Sequence, residues 1–137
     1  MRTALDTNIL SAIWSGESSA PALVAQLGSA KQEGALLISP AVFAELHSYP
    51  GATKAFISHF LETTGVIIDF RLEDSVWATT AERFARYATR RRQSSSSGPK
   101  RLLADFLIGA HATVQAERFM TLDPQRYVQD FPELQLY

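Results

Sequence analysis

Short apolar runs alternate with longer segments of helical periodicity along the 137 residues of the chain. This alternation is typical of a parallel sheet wrapped by helices. We therefore predict the α/β class and, at this length, one domain spanning residues 1–137. The predicted strands are 2–5, 35–38, 66–68, 118–121 and, as a short fifth strand, 134–136. The predicted helices are 7–14, 20–32, 40–48, 52–63, 73–92, 100–116 and 125–129.

The composition excludes several classes of protein and of site. With 46% hydrophobic and 20% charged residues, the chain can bury a core and is not disordered as a whole. The absence of cysteine excludes disulfides, zinc–thiolate sites and a thiol nucleophile, so any metal must be held by oxygen or imidazole. No apolar run approaches the ~18–20 residues of a membrane span, and residues 1–6 lead into a strand without a secretory signal. We therefore expect a cytoplasmic protein with no membrane contact.

A formal net charge of −1 conceals a concentrated basic segment. No acidic residue occurs between positions 83 and 101, and this segment, which we call the basic arm, suggests an anionic partner. A solvated helix face is the alternative interpretation. Residues 93–99, with four serines and a Gly-Pro pair, are predicted to form a flexible loop between two helices. The basic residues of the arm are Arg83, Arg86, Arg90, Arg91, Arg92, Lys100 and Arg101.

Two aspartates stand at the predicted carboxyl ends of strands, where parallel α/β sheets place their ligand sites. Asp6 follows the first strand and Asp123 follows the fourth. Each could instead be a simple helix N-cap, since aspartate is favoured there, and the proline after Asp123 strengthens that interpretation.

Two further acids lie within predicted helices. Glu45 has Ala41 and Val42 at i−4 and i−3, so it shares a face with apolar side chains. Asp105 lies in an almost wholly apolar helix and needs a cation, a hydrogen-bond donor or an opening to solvent, because an unpaired buried carboxylate is costly. The alternative for Asp105 is a buried carboxylate that accepts hydrogen bonds and has only a structural role.

Four acids converging on one edge of a sheet would raise each other's pKa values unless a divalent cation neutralised them. Mg²⁺ or Mn²⁺ fits, because these hard ions prefer carboxylate oxygens. Thr7, Asn8 and Thr121 flank the first and last acids and could hold carboxylate rotamers or a bound water, or serve only as capping and turn residues. The histidines, His47, His59 and His111, have no ligand spacing and are expected to be surface or packing residues.

The ordered motifs resemble those of PIN-domain ribonucleases, and in length and pattern the VapC-type toxins of toxin–antitoxin pairs. They are Leu5-Asp6-Thr7-Asn8, a glutamate in the helix after the second strand, the segment 103–112 (LADFLIGAHA) and Thr121-Leu122-Asp123. The resemblance covers nearly the whole chain. It implies a three-layer α/β/α sandwich with a central, mainly parallel sheet of four to five strands. It also implies that Asp6, Glu45, Asp105 and Asp123 bind metal and carry catalysis, Asp123 being the least secure ligand, with Asn8 and Thr121 as polar supports.

The resemblance further implies a Mg²⁺- or Mn²⁺-dependent endoribonuclease that activates water for in-line attack on a phosphodiester. Because the acidic pocket repels RNA, we expect the basic arm to hold the flanking phosphates. The implied partners are RNA, an antitoxin whose C-terminal segment covers the site, often with a basic side chain in the acidic pocket, and a second copy of the chain. Trp14, Phe56, Phe60 and Trp77 could supply an apolar groove or dimer face, although we expect most of them in the core.

Three other interpretations remain open. A receiver or phosphohydrolase-type magnesium protein also has an aspartate after its first strand, but the segment from Asp6 lacks the second aspartate of such sites. A non-catalytic PIN-like binding module would use the same acids structurally. A nuclease of RNA processing, outside any toxin–antitoxin pair, would share the same site.

Overall fold

The computed structural model describes residues 1–94, 98 and 100–137 of the chain. Its strands and helices alternate as the sequence predicts, with most boundaries within one to three residues of the prediction. In chain order the elements are β1 Thr3–Leu5, α1 Thr7–Trp14, α2 Ala20–Glu33, β2 Leu36–Ile38, α3 Pro40–Leu46, α4 Lys54–Thr64, β3 Val66–Ile68, α5 Asp74–Gln93, α6 Leu103–Gln115, β4 Arg118–Met120 and a 3₁₀ turn at Pro124–Arg126.

The four strands form one parallel sheet in the order β3-β2-β1-β4. Ala4 pairs with Leu37 of β2 on one side and with Phe119 of β4 on the other, so β1 is central. Helices cover both faces, which confirms the predicted α/β sandwich. No helix in the described part of the chain is both long and apolar enough to cross a bilayer.

Two predicted elements differ from the structure. The predicted fifth strand is reduced to a single parallel bridge between Leu136 and Phe119. The predicted helix 125–129 is the shorter 3₁₀ turn at Pro124–Arg126. Of the predicted loop 93–99, Gln93 still belongs to α5, while residues 95–97 and 99 lie outside the described residues.

Helix starts follow local chemistry. The Ser39 hydroxyl accepts a hydrogen bond from the Val42 N–H at 3.2 Å, and Pro40 occupies the first position of α3. This cap and the proline fix where α3 leaves the sheet. Asp6 caps α1 through the next residue, accepting from the Thr7 N–H at 2.8 Å.

Helix α6 packs closely against the C-terminal segment. Gly109 faces the ring of buried Phe131, and a Cβ atom at this position would overlap it, with Cδ2 at 2.6 Å and Cζ at 2.9 Å. In α2, by contrast, a Cβ atom at Gly28 would meet no atom within 4 Å. The close approach at Gly109 therefore sets how near α6, which carries Asp105, lies to the segment after β4.

Gly109 and Gly28 both lie in helices but differ in the space around them, so the same substitution can be compared at the two positions. We expect Gly109→Ala to lower the free energy of unfolding by about 1–3 kcal/mol, because overpacking a filled site outweighs the better helix propensity of alanine. Gly28→Ala should raise it by up to about 1 kcal/mol, since only the propensity changes. Urea unfolding of both variants measures this; a stabilised Gly109→Ala variant would show that the Phe131 contact is loose.

Candidate functional site

The carboxyl ends of β1 and β4 lie side by side at a point where the chain changes direction across the sheet. From β1 the chain goes on to β2 and β3 on one side, and it returns to β4 on the other. Such a point opens a crevice at the carboxyl edge, where open α/β sheets bind ligands. Asp6 and Thr121 are the first residues after β1 and β4, so the topology alone brings them together.

Asp6 is buried and held by three hydrogen bonds. Its Oδ1 accepts from the Thr7 N–H at 2.8 Å, while Oδ2 accepts from the hydroxyls of Thr121 at 2.7 Å and Tyr127 at 2.9 Å. Burial raises the pKa of Asp6, and the three donors, together with the charge of Arg126, only partly oppose the rise. The carboxylate is thus fixed in one orientation at an energetic cost.

Glu45 reaches the same place from α3. Its Oε1 accepts a hydrogen bond from the Thr7 hydroxyl at 2.6 Å. Burial raises its pKa, the Thr7 hydrogen bond opposes this, and the negative charges of Asp6 and Asp105 raise it further. Thr7 therefore links two of the predicted acids, through its backbone to Asp6 and through its side chain to Glu45.

Asp105 lies in the first turn of α6. Its carboxylate has a hydrogen-bond donor, a nearby cation and an opening to solvent, the three features that can stabilise a charge in apolar surroundings. Its Oδ2 accepts from the Leu102 N–H at 2.9 Å, and its Oδ1 lies 3.5 Å from the guanidinium of Arg126. It also lines a cavity that opens to solvent. Its structural role at the start of α6 and its place in the site are therefore compatible.

A cavity of about 270 Å³ connects these three acids. Its walls also include Ser11 and Ser48, and Arg126 extends into it between the carboxylates. We call this space the acidic cavity. Its lining comprises Asp6, Thr7, Asn8, Ser11, Glu45, Ser48, Asp105 and Arg126.

Asp123 takes a different position from the other three acids. Its side chain is about half exposed and pairs with the Arg126 Nε at 3.2 Å, and it does not line the acidic cavity. It precedes the 3₁₀ turn, yet its side chain makes no capping hydrogen bond. Asp123 thus contacts the site through Arg126, and its role as a metal ligand stays a prediction.

Asn8 and Thr121 tie the two strand ends together. The Asn8 amide donates to the Thr121 hydroxyl at 3.4 Å and accepts from the Leu122 N–H at 3.1 Å. The Thr121 hydroxyl in turn donates to Asp6 and accepts from the Asp123 N–H at 3.0 Å. The predicted supporting residues therefore form one network around the Asp6 carboxylate.

The donor set suits a hard divalent cation held partly by water. Within the described ranges, no three carboxylate or imidazole side chains form a ready-made ligand set. Mg²⁺ does not require one, because it commonly keeps several waters and binds through one or two carboxylates. The acidic cavity supplies carboxylates and hydroxyls with room for those waters, and Arg126 provides the balancing positive charge.

The structure divides the basic arm into three groups. Arg83 is bound to the Glu133 carboxylate at 2.7 Å and Arg86 to Glu82 at 2.8 Å, so both charges are already matched. Lys100 is exposed and Arg92 donates to the Thr89 hydroxyl. The remaining members line a second cavity beside the acidic one; they are Arg90, Arg91 and Arg101.

Two residues of the site are absent from the sequence-based prediction. Arg126 follows Asp123 by three positions, and that spacing on a helical turn could have revealed the pair. Tyr127 is buried, and its hydroxyl donates to Asp6 from 121 residues away, for which no local signal exists. Burial and the Asp6 charge raise the pKa of Tyr127, so it remains a donor at neutral pH.

The histidines lie away from the acidic cavity. His111 is buried, and its Nε2 lies 3.0 Å from Asp69 Oδ2, which also accepts from the Gln115 amide at 2.6 Å. Burial lowers the pKa of His111 more than Asp69 raises it. This cluster joins α6 to the segment after β3.

The raised pKa of Glu45 predicts a change in stability with pH. Because the pKa of Glu45 is higher in the folded state than in the unfolded state, the folded state takes up a proton more readily as the pH falls. The free energy of unfolding therefore rises as the pH falls through the pKa of Glu45 in the folded state. We expect Glu45→Gln to raise the Tm in EDTA at pH 7.5 by about 3 °C and the gain to shrink towards pH 4.5. Glu62→Gln, at an exposed position, should leave the Tm unchanged. A lower Tm for Glu45→Gln would contradict the raised pKa of Glu45.

Comparison with known proteins gives a consistent assignment. The family model of the PIN domain matches residues 3–131. The structure is similar to the crystal structure of VapBC2 from Rickettsia felis bound to a DNA fragment from their promoter, at 24% identity and a TM-score of 0.65, covering 100% of this chain and 98% of that one. At that identity the likeness shows the fold alone. No curated protein matches. Because the family model spans nearly the whole chain, this protein belongs to the PIN domain family.

Proposed function

We propose that this protein is a metal-dependent endoribonuclease that acts in the cytoplasm as the toxin of a toxin–antitoxin pair. The observation that carries the proposal is the convergence of Asp6, Glu45 and Asp105 on one cavity at the carboxyl edge of the sheet. Membership of the PIN domain family and the structural likeness to VapBC2 support it. A PIN-domain nuclease of RNA processing would use the same site, and the RNA substrate distinguishes the two.

The chain's own residues would bind and orient the reactants. Asp6 and Asp105 would hold Mg²⁺ or Mn²⁺, and Asp123, which pairs with Arg126 beside the cavity, is the least secure ligand. The cation would supply Lewis-acid activation of water and neutralise charge at the scissile phosphate. Glu45, with its raised pKa, is suited to accept the proton of the attacking water at its carboxylate. Thr7, Thr121 and Tyr127 keep the carboxylates from rotating.

The basic arm would hold the RNA phosphates on either side of the cleaved bond. Arg90, Arg91, Arg92, Lys100 and Arg101 are its best candidates. Arg83 and Arg86 would contribute less, because carboxylates already bind them.

The proposed protein partners are an antitoxin and a second copy of the chain. The chain's own Arg126 already enters the acidic cavity, as the antitoxin's basic side chain is expected to do. For a partner surface, Trp77 and Phe56 are 52% and 43% exposed, whereas Trp14 and Phe60 pack against the core. The first two are therefore the aromatic candidates for an interface.

The proposal predicts the effect of a single neutral replacement. Asp105→Asn keeps an oxygen for the Leu102 N–H but removes the negative charge. We expect it to lower the rate of cleavage of single-stranded and structured RNA by about 100-fold or more, and EDTA to abolish cleavage by the original protein. Gel-based cleavage assays with Mg²⁺ and Mn²⁺ measure both effects.

The matched control is Asp74→Asn, which removes one exposed aspartate at the start of α5. It should cleave RNA at the original rate. If the Asp105→Asn variant cleaves normally, or cleavage persists in EDTA, the proposed metal site is wrong. If the original protein neither cleaves any RNA nor binds Mn²⁺, the non-catalytic binding module is the better description.

A second prediction concerns Arg126, because its guanidinium would compete with a metal ion for the same carboxylates. Removing it as Arg126→Ala leaves the charges of Asp105 and Asp123 unmatched. We expect Mn²⁺ affinity, measured by titration calorimetry, to rise about tenfold. Lys31→Ala, at the opposite edge of the sheet, removes the same charge and should leave the affinity unchanged. Weaker Mn²⁺ binding by Arg126→Ala would show that Arg126 assists the ion.

A further inference from the structure

A second cavity of about 320 Å³ lies beside the acidic one, between the last turns of α5 and the 3₁₀ turn. Four arginines line it, and we call it the arginine cavity. Its volume falls within the ~300–1,000 Å³ that is typical of ligand pockets. The four are Arg90, Arg91, Arg101 and Arg126.

The charge of this cavity is unbalanced. One lining residue is acidic, Asp130, and its buried carboxylate pairs with Arg90 at 2.8 Å. Arg91 donates to the Gly98 carbonyl at 2.9 Å and Arg101 reaches the Gln125 carbonyl at 3.5 Å. Across residues 1–94, 98 and 100–137, neither Arg91 nor Arg101 has a carboxylate partner. Guanidinium groups brought together in this way repel one another unless an anion joins them.

The arginines are held in place rather than extended into solvent. The Arg90 guanidinium lies 5.7 Å from the ring centre of Tyr87, and the Tyr87 hydroxyl accepts from the Arg101 N–H at 2.8 Å. Arg101 is therefore anchored at its backbone. The guanidinium fork of an arginine matches the oxygens of a phosphate.

Arg126 lines both cavities, so the two share a wall. A strand whose scissile phosphate lay at the acidic cavity would bring a neighbouring phosphate to the arginine cavity. We propose that the arginine cavity is a phosphate-binding site that takes one backbone phosphate of an RNA strand next to the cleaved bond. The identity of the strand rests on the proposed function, whereas the anion site rests on the arginines themselves.

The test is RNA binding without cleavage. The probe is a fluorescein-labelled single-stranded 20-nucleotide oligouridylate in EDTA, followed by fluorescence anisotropy from 50 to 200 mM salt. For the double variant Arg91→Ala/Arg101→Ala we expect affinity about tenfold lower at 50 mM salt. The slope of log K against log salt should fall in magnitude by about 0.7, the contribution of one phosphate of a single strand.

The matched control removes two cations at the opposite edge of the sheet, as Arg2→Ala/Lys31→Ala. Arg2 precedes β1, and Lys31 donates to the Gly65 carbonyl just before β3. This variant should bind within twofold of the original protein. If both double variants lose affinity equally, total charge rather than a site holds the RNA, and the proposal is overturned. Arg91→Gln/Arg101→Gln, checked by circular dichroism, replaces the alanine variant should that one fail to fold.

A glutamate 20-mer tests for an acidic protein segment as the occupant. If that peptide binds more tightly than the RNA, and the double variant loses only peptide binding, the proposal is overturned. Cleavage assays separate the two proposals. A protein that binds RNA through the arginine cavity but never cleaves it would refute the proposed function alone. A protein that cleaves RNA, with binding unchanged in the double variant, would refute this inference alone.

Discussion

The buried carboxylate of Asp6 is the interaction on which the site depends. It accepts hydrogen bonds from the start of α1, from the end of β4 and from the C-terminal segment, through Thr7, Thr121 and Tyr127. Thr7 is next to Asp6 in the chain, whereas Thr121 and Tyr127 follow it by 115 and 121 residues, and the one carboxylate binds all three. Buried charge is tolerated in proteins only when donors surround it, so the fold around Asp6 must be complete for the site to exist.

Holding negative charge at this edge of the sheet costs free energy. Burial raises the pKa values of both Asp6 and Glu45, and the neighbouring acids add to the rise at Glu45. Arg126 offsets part of this by lying among the carboxylates of Asp105 and Asp123. A site that holds negative charge against the preference of the fold is suited to binding a cation, since the cation releases that cost.

The two cavities give opposite signs of charge to neighbouring surfaces. One wall carries three carboxylates and the next carries arginines, with Arg126 between them. A polyanion cannot approach the acidic side without a cation, whereas the basic side attracts it from a distance. Separation of the two charges on one edge of the sheet would allow the proposed metal ion and RNA strand to bind next to each other.

The sequence by itself determined the class of the fold, most of its elements and the three acids that line the acidic cavity. Apolar runs and helical periodicity are local properties, and the cap chemistry at Asp6 and Ser39 depends on residues within three positions. The parallel arrangement then requires residues after β1 and β4 to meet at one edge, so the pairing of Asp6 with Thr121 could be predicted. The displaced position of Asp123, the contact of Tyr127 with Asp6, the insertion of Arg126 and the split of the basic arm were decided only by tertiary structure. The first three depend on where the C-terminal segment packs against α6, which the contact of Gly109 with Phe131 sets and no local pattern encodes. In the basic arm, the pairing of Arg83 with Glu133 depends on the same segment, whereas Arg86 and Glu82 form an i,i+4 pair within α5.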